Sequence, residues 1–139
     1  MSESFRAACI QLNAQSDIAD NVERAMDGIK AAHIAGADFI ALPENAVMMG
    51  SRSRDILGLS MYESDHFGLL QFQNLASEIS VWLLLGSLGI KAEDGRVYNR
   101  SYLVNPKGKI KARYDKIHMF DANLPDGESY RESKNFKPA

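Results

Sequence analysis

Apolar and polar positions fall into blocks along this chain. Phe5 to Leu12 is an apolar run closed by the polar stretch Asn13 to Asp17, which predicts a buried strand. Ile18, Val22, Met26 and Ile29 then recur at helical spacing, with Asp20 and Glu23 as a capping pair and Gly36 as the stop. Asp38 to Leu42 reads as a second apolar strand, ended by Pro43. Strand, helix and strand in close succession predict a βαβ unit with parallel strands.

From Asn45 to Ser64 the residues show no clear period, which predicts a long functional loop. Leu69, Phe72, Ala76 and Ile79 return to helical spacing and predict a helix over Asp65 to Ser80. Val81 to Leu88 follows as a nearly all-apolar strand, with Trp82 assigned to the core. Val97 to Val104 and Lys109 to Tyr114 predict two antiparallel strands joined by the turn Asn105-Pro106-Lys107-Gly108, so the sheet is expected to be mixed. Lys109, Lys111 and Arg113 alternate with Ile110, Ala112 and Tyr114 and are expected to form a solvated strand face. Beyond Lys116 the polar segment through Asn123, Pro125, Asp126 and Gly127 reads as loop, with no closing element.

Composition narrows the class. The 139 residues are 45% hydrophobic and 24% charged, a balance that excludes disorder and fits one globular domain or a piece of a larger one. The longest strongly apolar run, Val81 to Leu85, is far short of the roughly 20 residues of a membrane-spanning helix. No signal-peptide layout stands at the N-terminus, so a cytoplasmic location is expected. Sixteen basic and 18 acidic residues give a net charge of −2 without like-charge blocks, so neither nucleic acid nor membrane is expected as a partner. The single Cys9 rules out an internal disulfide, and His33, His66 and His118 lack metal-ligand spacing, so no metal or other cofactor is expected.

Three residues could carry chemistry. Leu42-Pro43-Glu44-Asn45 places the Glu44 carboxylate just past a parallel strand, where α/β proteins put their ligand sites. Glu44 is there either a general base or a loop carboxylate capping a nearby amide. Lys116, again just beyond a strand, would stabilise a developing oxyanion if it faced the same cleft. Glu132 could be a second carboxylate there. Cys9 sits among Ala7, Ala8 and Ile10 without a Gly-flanked elbow or a neighbouring base, so it is expected to be a buried structural thiol. His118 is expected to shape its loop by hydrogen bonding.

Leu42-Pro43-Glu44 after the second strand and Tyr114-Asp115-Lys116-Ile117-His118-Met119-Phe120-Asp121 after the hairpin resemble the nitrilase superfamily of carbon-nitrogen hydrolases. Gly36-Ala37-Asp38, Tyr98-Asn99-Arg100-Ser101 and Tyr130-Arg131-Glu132-Ser133 before Phe136-Lys137-Pro138 place the resemblance in its Nit-type amidase branch. It implies an α/β fold: one half of a four-layer αββα sandwich with a mixed β-sheet. It also implies hydrolysis of small amides, and less readily of nitriles, by a Glu-Lys-Cys set acting through a thioester. Glu44 matches the base, Lys116 the oxyanion-stabilising lysine and Glu132 the additional glutamate. The family's cysteine has no match here, since it lies downstream of the Phe136-Lys137-Pro138 region.

Residues 1–139 are therefore expected to be the N-terminal half of such a domain, homo-oligomeric in the intact protein, inactive alone, and left with one apolar sheet face uncovered. Two other readings compete. Asn13 and Glu44 also fit the strand ends of the metal-dependent endonuclease, exonuclease and phosphatase fold. A truncated structural or interaction module would need no cysteine.

Overall fold

The computed structural model describes residues 4–49, 53–125 and 127–139. The predicted βαβ unit is present: β1 (Ala7–Cys9) pairs in parallel with β2 (Phe39–Ala41) across α1 (Ile18–Ile34). Asp17, not the Asp20 and Glu23 pair, caps α1: its side chain accepts the Asp20 N–H at 3.1 Å. An N-cap needs extended backbone, which Asp17 has at φ −85° and ψ 110°, whereas Asp20 is already helical and pairs with Arg24 at 2.9 Å. Gly36, at φ +85°, ends the helix as expected, donating its N–H to His33 O at 2.8 Å.

The segment predicted as loop contains a helix, α2 (Ser53–Leu59), and a 3-10 turn at Glu63–Asp65, while Gly50, Ser51 and Arg52 lie outside the described residues. Next comes α3 (Phe67–Ile79), capped by His66, whose Nδ1 accepts the Leu69 N–H at 3.2 Å. Burial of His66 lowers its pKa, favouring the neutral ring that can accept. Then β3 (Trp82–Lys91), β4 (Val97–Val104) and β5 (Ile110–Asp115) form an antiparallel meander. Asn105 Oδ1 closes the β4–β5 turn by accepting the Lys107 and Lys109 N–H groups at 3.0 and 2.9 Å, and Gly108 takes φ +68° there. The final segment, expected as loop, instead forms a two-stranded antiparallel sheet of β6 (Asp121–Asn123) and β7 (Ser129–Arg131), followed by a 3-10 turn at Glu132–Lys134. Three-residue strands are too short to leave a period in the sequence; Asp126, between them, lies outside the described residues.

The main sheet runs β1-β2-β3-β4-β5, parallel across its first three strands and antiparallel beyond, and so is mixed as predicted. One face packs on α1 and α3: Ile40, Leu83, Leu85, Tyr102 and Val104 are buried with Val22, Ala25, Ile29, Leu69, Phe72 and Leu75. The alternate residues face the other way, and Phe39, Leu84 and Leu103 among them are only partly buried. Trp82, assigned to the core by sequence, is 37% exposed on that side, and Tyr114 is 56% exposed. Cys9, expected to be buried, is exposed there too: β1 is an edge strand whose Ala8 packs inward while Ala7 and Cys9 point out. For the same reason β5 is not split into wet and dry faces, since Ala112 and Tyr114 are as exposed as Lys111 and Arg113. His118 is exposed, and among the described residues no hydrogen bond reaches it. No described helix is long and apolar enough to cross a membrane.

Candidate active site

Glu44 is positioned by a bulge in β3. Register with β4 slips between Leu85 and Leu88, and the displaced Gly86-Ser87 pair faces the chain leaving β2. Ser87 N–H donates to Pro43 O at 3.3 Å, Asn45 N–H donates to Ser87 Oγ at 2.9 Å, and Ala46 N–H donates to Ser87 O at 3.1 Å. Those bonds pin the residues on both sides of Glu44. They also hold Asn45 at φ +53°, a left-handed conformation that asparagine tolerates better than most residues. Ser101 Oγ closes the bulge from β4, donating to Gly86 O at 2.6 Å.

Lys116 follows β5 directly, and its backbone N–H donates to Asn99 O on β4 at 3.0 Å. Glu132 arrives on the 3-10 turn after β7. Its segment is docked on β4 by Val97 N–H to Asn135 O and Lys137 N–H to Val97 O, each 2.9 Å. The Glu132 carboxylate is further fixed by the Phe120 N–H at 2.5 Å.

The three residues predicted from sequence converge on one atom. Lys116 Nζ lies 3.1 Å from Glu44 Oε1 and 3.1 and 3.0 Å from the two oxygens of Glu132. Solvent reaches the two carboxylates unequally: the Glu44 side chain is 55% exposed and that of Glu132 only 17%. Burial pulls the lysine pKa down, but the hydrogen bonds and charges of Glu132 and Glu44 outweigh it, so the net shift is upward and the ammonium is held charged. Cys9 takes part in none of these contacts.

Asn99 belongs to the same cluster, and sequence reasoning assigned it no role. It is buried, and its Nδ2 donates to Glu44 Oε1 at 2.6 Å. The available signal was an asparagine inside a predicted strand, where that residue is disfavoured and calls for a reason.

On the opposite face of β4 a second charged cluster ties the hairpin to the Glu63 turn. Arg100 grips Asp115 with two bonds of 2.6 and 2.8 Å and reaches Glu63 at 2.9 Å. Glu63 also receives Arg113 and the Tyr102 hydroxyl. The Arg113 guanidinium is the foremost cause that holds the Glu63 carboxyl at about 2; burial pushes the other way, and the Tyr102 and Arg100 hydrogen bonds add to the lowering.

Residues 6–139 match the carbon-nitrogen hydrolase family. The chain belongs to that family. It is 31% identical over 131 residues to the deaminated glutathione amidase of Synechocystis, covering 93% of this chain and 47% of that protein. Against human omega-amidase NIT2 it is 35% identical over 142 residues, covering 97% of this chain and 48% of the relative. The fold matches that of the C. elegans NitFhit protein with a TM-score of 0.86 at 25% identity, over 97% of this chain and 33% of that one. An amidase from Nesterenkonia gives a TM-score of 0.79 at 20% identity, over 97% of this chain and 48% of the other. The chain thus spans about half the length of the curated relatives it matches.

Membership in the carbon-nitrogen hydrolases bears out the resemblance read from Glu44, Lys116 and their flanking motifs, and the mixed sheet agrees with it. The metal-dependent phosphodiesterase reading is not favoured. Between Glu44 and Glu132, where two carboxylates would hold a divalent cation, stands the Lys116 ammonium. Asn13 bonds to Gln15 and not to Glu44.

Proposed function

We propose that this chain supplies the base and the electrophilic half of an amide-hydrolysing site: Glu44 as general base, Lys116 as the oxyanion-stabilising cation, and Glu132 as the carboxylate that anchors Lys116. The observation that carries this is the convergence of Glu44 and Glu132 on Lys116 Nζ at 3.0–3.1 Å from segments far apart in sequence.

In the reaction, a thiolate adds to the amide carbon, and Glu44 takes the thiol proton and returns it to the departing amine. The carbonyl oxygen gains negative charge as the tetrahedral intermediate forms. Lys116, held between Glu44 and Glu132, stabilises that oxygen by its positive charge. Keeping the ammonium charged is what this role demands, and the raised pKa of Lys116 supports it. Water then releases the acyl group.

The nucleophile belongs to a part of the family domain that does not match these residues. Cys9 points from an edge strand and touches neither Glu44 nor Lys116, so it does not serve in its place. The chain alone is therefore expected to be silent. Small amides are favoured over nitriles as substrates because two of the similar relatives are named as amidases.

Ammonia release from small carboxamides tests the reading, measured for the chain alone and for the chain co-expressed with the C-terminal half of a family member. No release alone, release on co-expression, and loss of that release in Glu44→Gln and Lys116→Met are expected. Ammonia release by the chain alone that survives Glu44→Gln would overturn it.

A further inference from the structure

We infer that Asn99 is the positioning residue that decides which oxygen of Glu44 acts as the base. This rests on the reading of Glu44 as the general base and goes beyond it, to the level of a single atom.

The carboxylate has two oxygens, and the protein treats them differently. Oε1 accepts from both Asn99 Nδ2 at 2.6 Å and Lys116 Nζ at 3.1 Å. Among the described residues no hydrogen bond reaches Oε2. An oxygen that already accepts two hydrogen bonds, one of them from a cation, is a poor proton acceptor; the unoccupied oxygen of the same carboxylate is the better one. Two donors on one side also fix the rotation of the carboxylate plane, which a single flexible lysine does not. Asn99 can do this because its own freedom is gone. It is only 3% exposed and lies within β4, and its backbone carbonyl holds the Lys116 N–H at 3.0 Å. One residue thus sets the Glu44 side chain through its amide and the Lys116 backbone through its carbonyl, and so fixes the separation of base and cation. An aspartate would present an acceptor of like charge to Glu44, and an alanine would leave Oε1 to the lysine alone.

The test reads the Asn99 carboxamide directly by 15N–1H spectroscopy of the whole chain, assigned by through-bond correlation so that no variant at Asn99 is needed. One Nδ2 proton is expected to stand downfield of its partner because it is donated to a charged oxygen. Glu44→Gln is expected to move that proton upfield, and Glu44→Ala to bring the two protons together. Glu44 is half exposed and Glu44→Gln keeps an amide oxygen to accept from Asn99, so that variant retains the fold. An Asn99 carboxamide that is unchanged in both variants overturns the inference. The readout requires no turnover, so it stands or falls separately from the amidase reading. In an assembled active enzyme, Asn99→Ala is expected to lower kcat roughly ten- to hundredfold with KM little changed, the size of one hydrogen bond to a charged group. Equal losses in Asn99→Ala and in a distant core variant of matched stability would also overturn it.

Discussion

Gly86 stands so close to Leu42 that a Cβ built on it would lie 2.3 Å from the Leu42 carbonyl oxygen and 2.4 Å from the Pro43 carbonyl carbon. Both obstacles are backbone, so neither can swing away. The close approach brings the β3 bulge against the chain that leads to Glu44. Gly86→Ala is expected to cost about 3 kcal/mol, the range of an overpacked core site, and to displace Glu44 from Asn99. Gly89, in the same strand, supplies the control: a Cβ there meets only Val97 and Met48 side-chain carbons at 3.4 and 3.6 Å. Urea unfolding of the two variants checks this, with a clear loss for Gly86→Ala and a small change for Gly89→Ala. Equal midpoints would mean that the bulge is not what holds Pro43 in place.

Acid should weaken the fold in part through Glu63. Its carboxyl sits at about 2, against 4.5 for a free glutamate, with hydrogen bonding to Arg113 the first cause. A lowered carboxyl stabilises the fold in full above pH 4.5, because there both states are ionised. As pH falls, the unfolded chain takes up the proton first, so this stability drains away between about 4.5 and about 2. Solvent screening of the partly exposed cluster limits the effect to about 1–2 kcal/mol. Unfolding midpoints followed across that window should fall less steeply in Glu63→Gln than in the native chain. Parallel slopes would show that the three donors on Glu63 contribute nothing measurable.

How much of this was legible in the sequence follows from the length scale of each feature. Helices α1 and α3 and strands β3 and β4 are long enough to carry a period, and the Asn105–Gly108 turn carries its own chemistry, so all were predictable. Glu44, Lys116 and Glu132 were legible as residues, and as one cluster only through the family resemblance. Nothing in local pattern says that positions 72 and 16 residues apart share one ammonium. Burial was misread where it depends on what lies across the sheet. Cys9 and Trp82 have apolar neighbours in sequence, yet α1 and α3 cover only the other side of their strands. β6 and β7 were hidden because their pairing is set by docking on β4 and by Glu132 reaching Phe120, and not by three residues of alternation. Asn99 was hidden because its reason for being polar is another chain segment.

The open face of the main sheet carries a solution consequence. Phe39, Trp82, Leu84 and Leu103 are only partly buried there, and Ala7, Cys9, Ala112 and Tyr114 are exposed beside them. A contiguous apolar face of this kind exceeds what a monomer in water usually leaves open. The chain on its own is expected to self-associate, and the double substitution Leu84→Lys with Leu103→Lys to shift it toward monomer without disturbing α1 or α3. Sedimentation velocity over a concentration series decides the matter. A monodisperse monomer at every concentration, unfolding cooperatively, would show that the face tolerates water.

The two carboxylates on Lys116 should differ in strength, and that difference bears on the proposed chemistry. Glu132 is the more buried at 17% exposure, and it also accepts the Phe120 N–H; Glu44 is 55% exposed. An ion pair weakens as water reaches it, so most of the lysine's coupling belongs to Glu132. Double-mutant cycles with Lys116→Met measure each pair separately. Coupling of about 1–2 kcal/mol is expected with Glu132→Gln and about 0.5 kcal/mol or less with Glu44→Gln. Such an asymmetry suits a base: a glutamate bound tightly to the cation would resist protonation, whereas one that lends the lysine a single oxygen keeps the other ready. A larger coupling with Glu44 than with Glu132 would make Glu44 the anchor, and the roles assigned to the two glutamates would have to be exchanged.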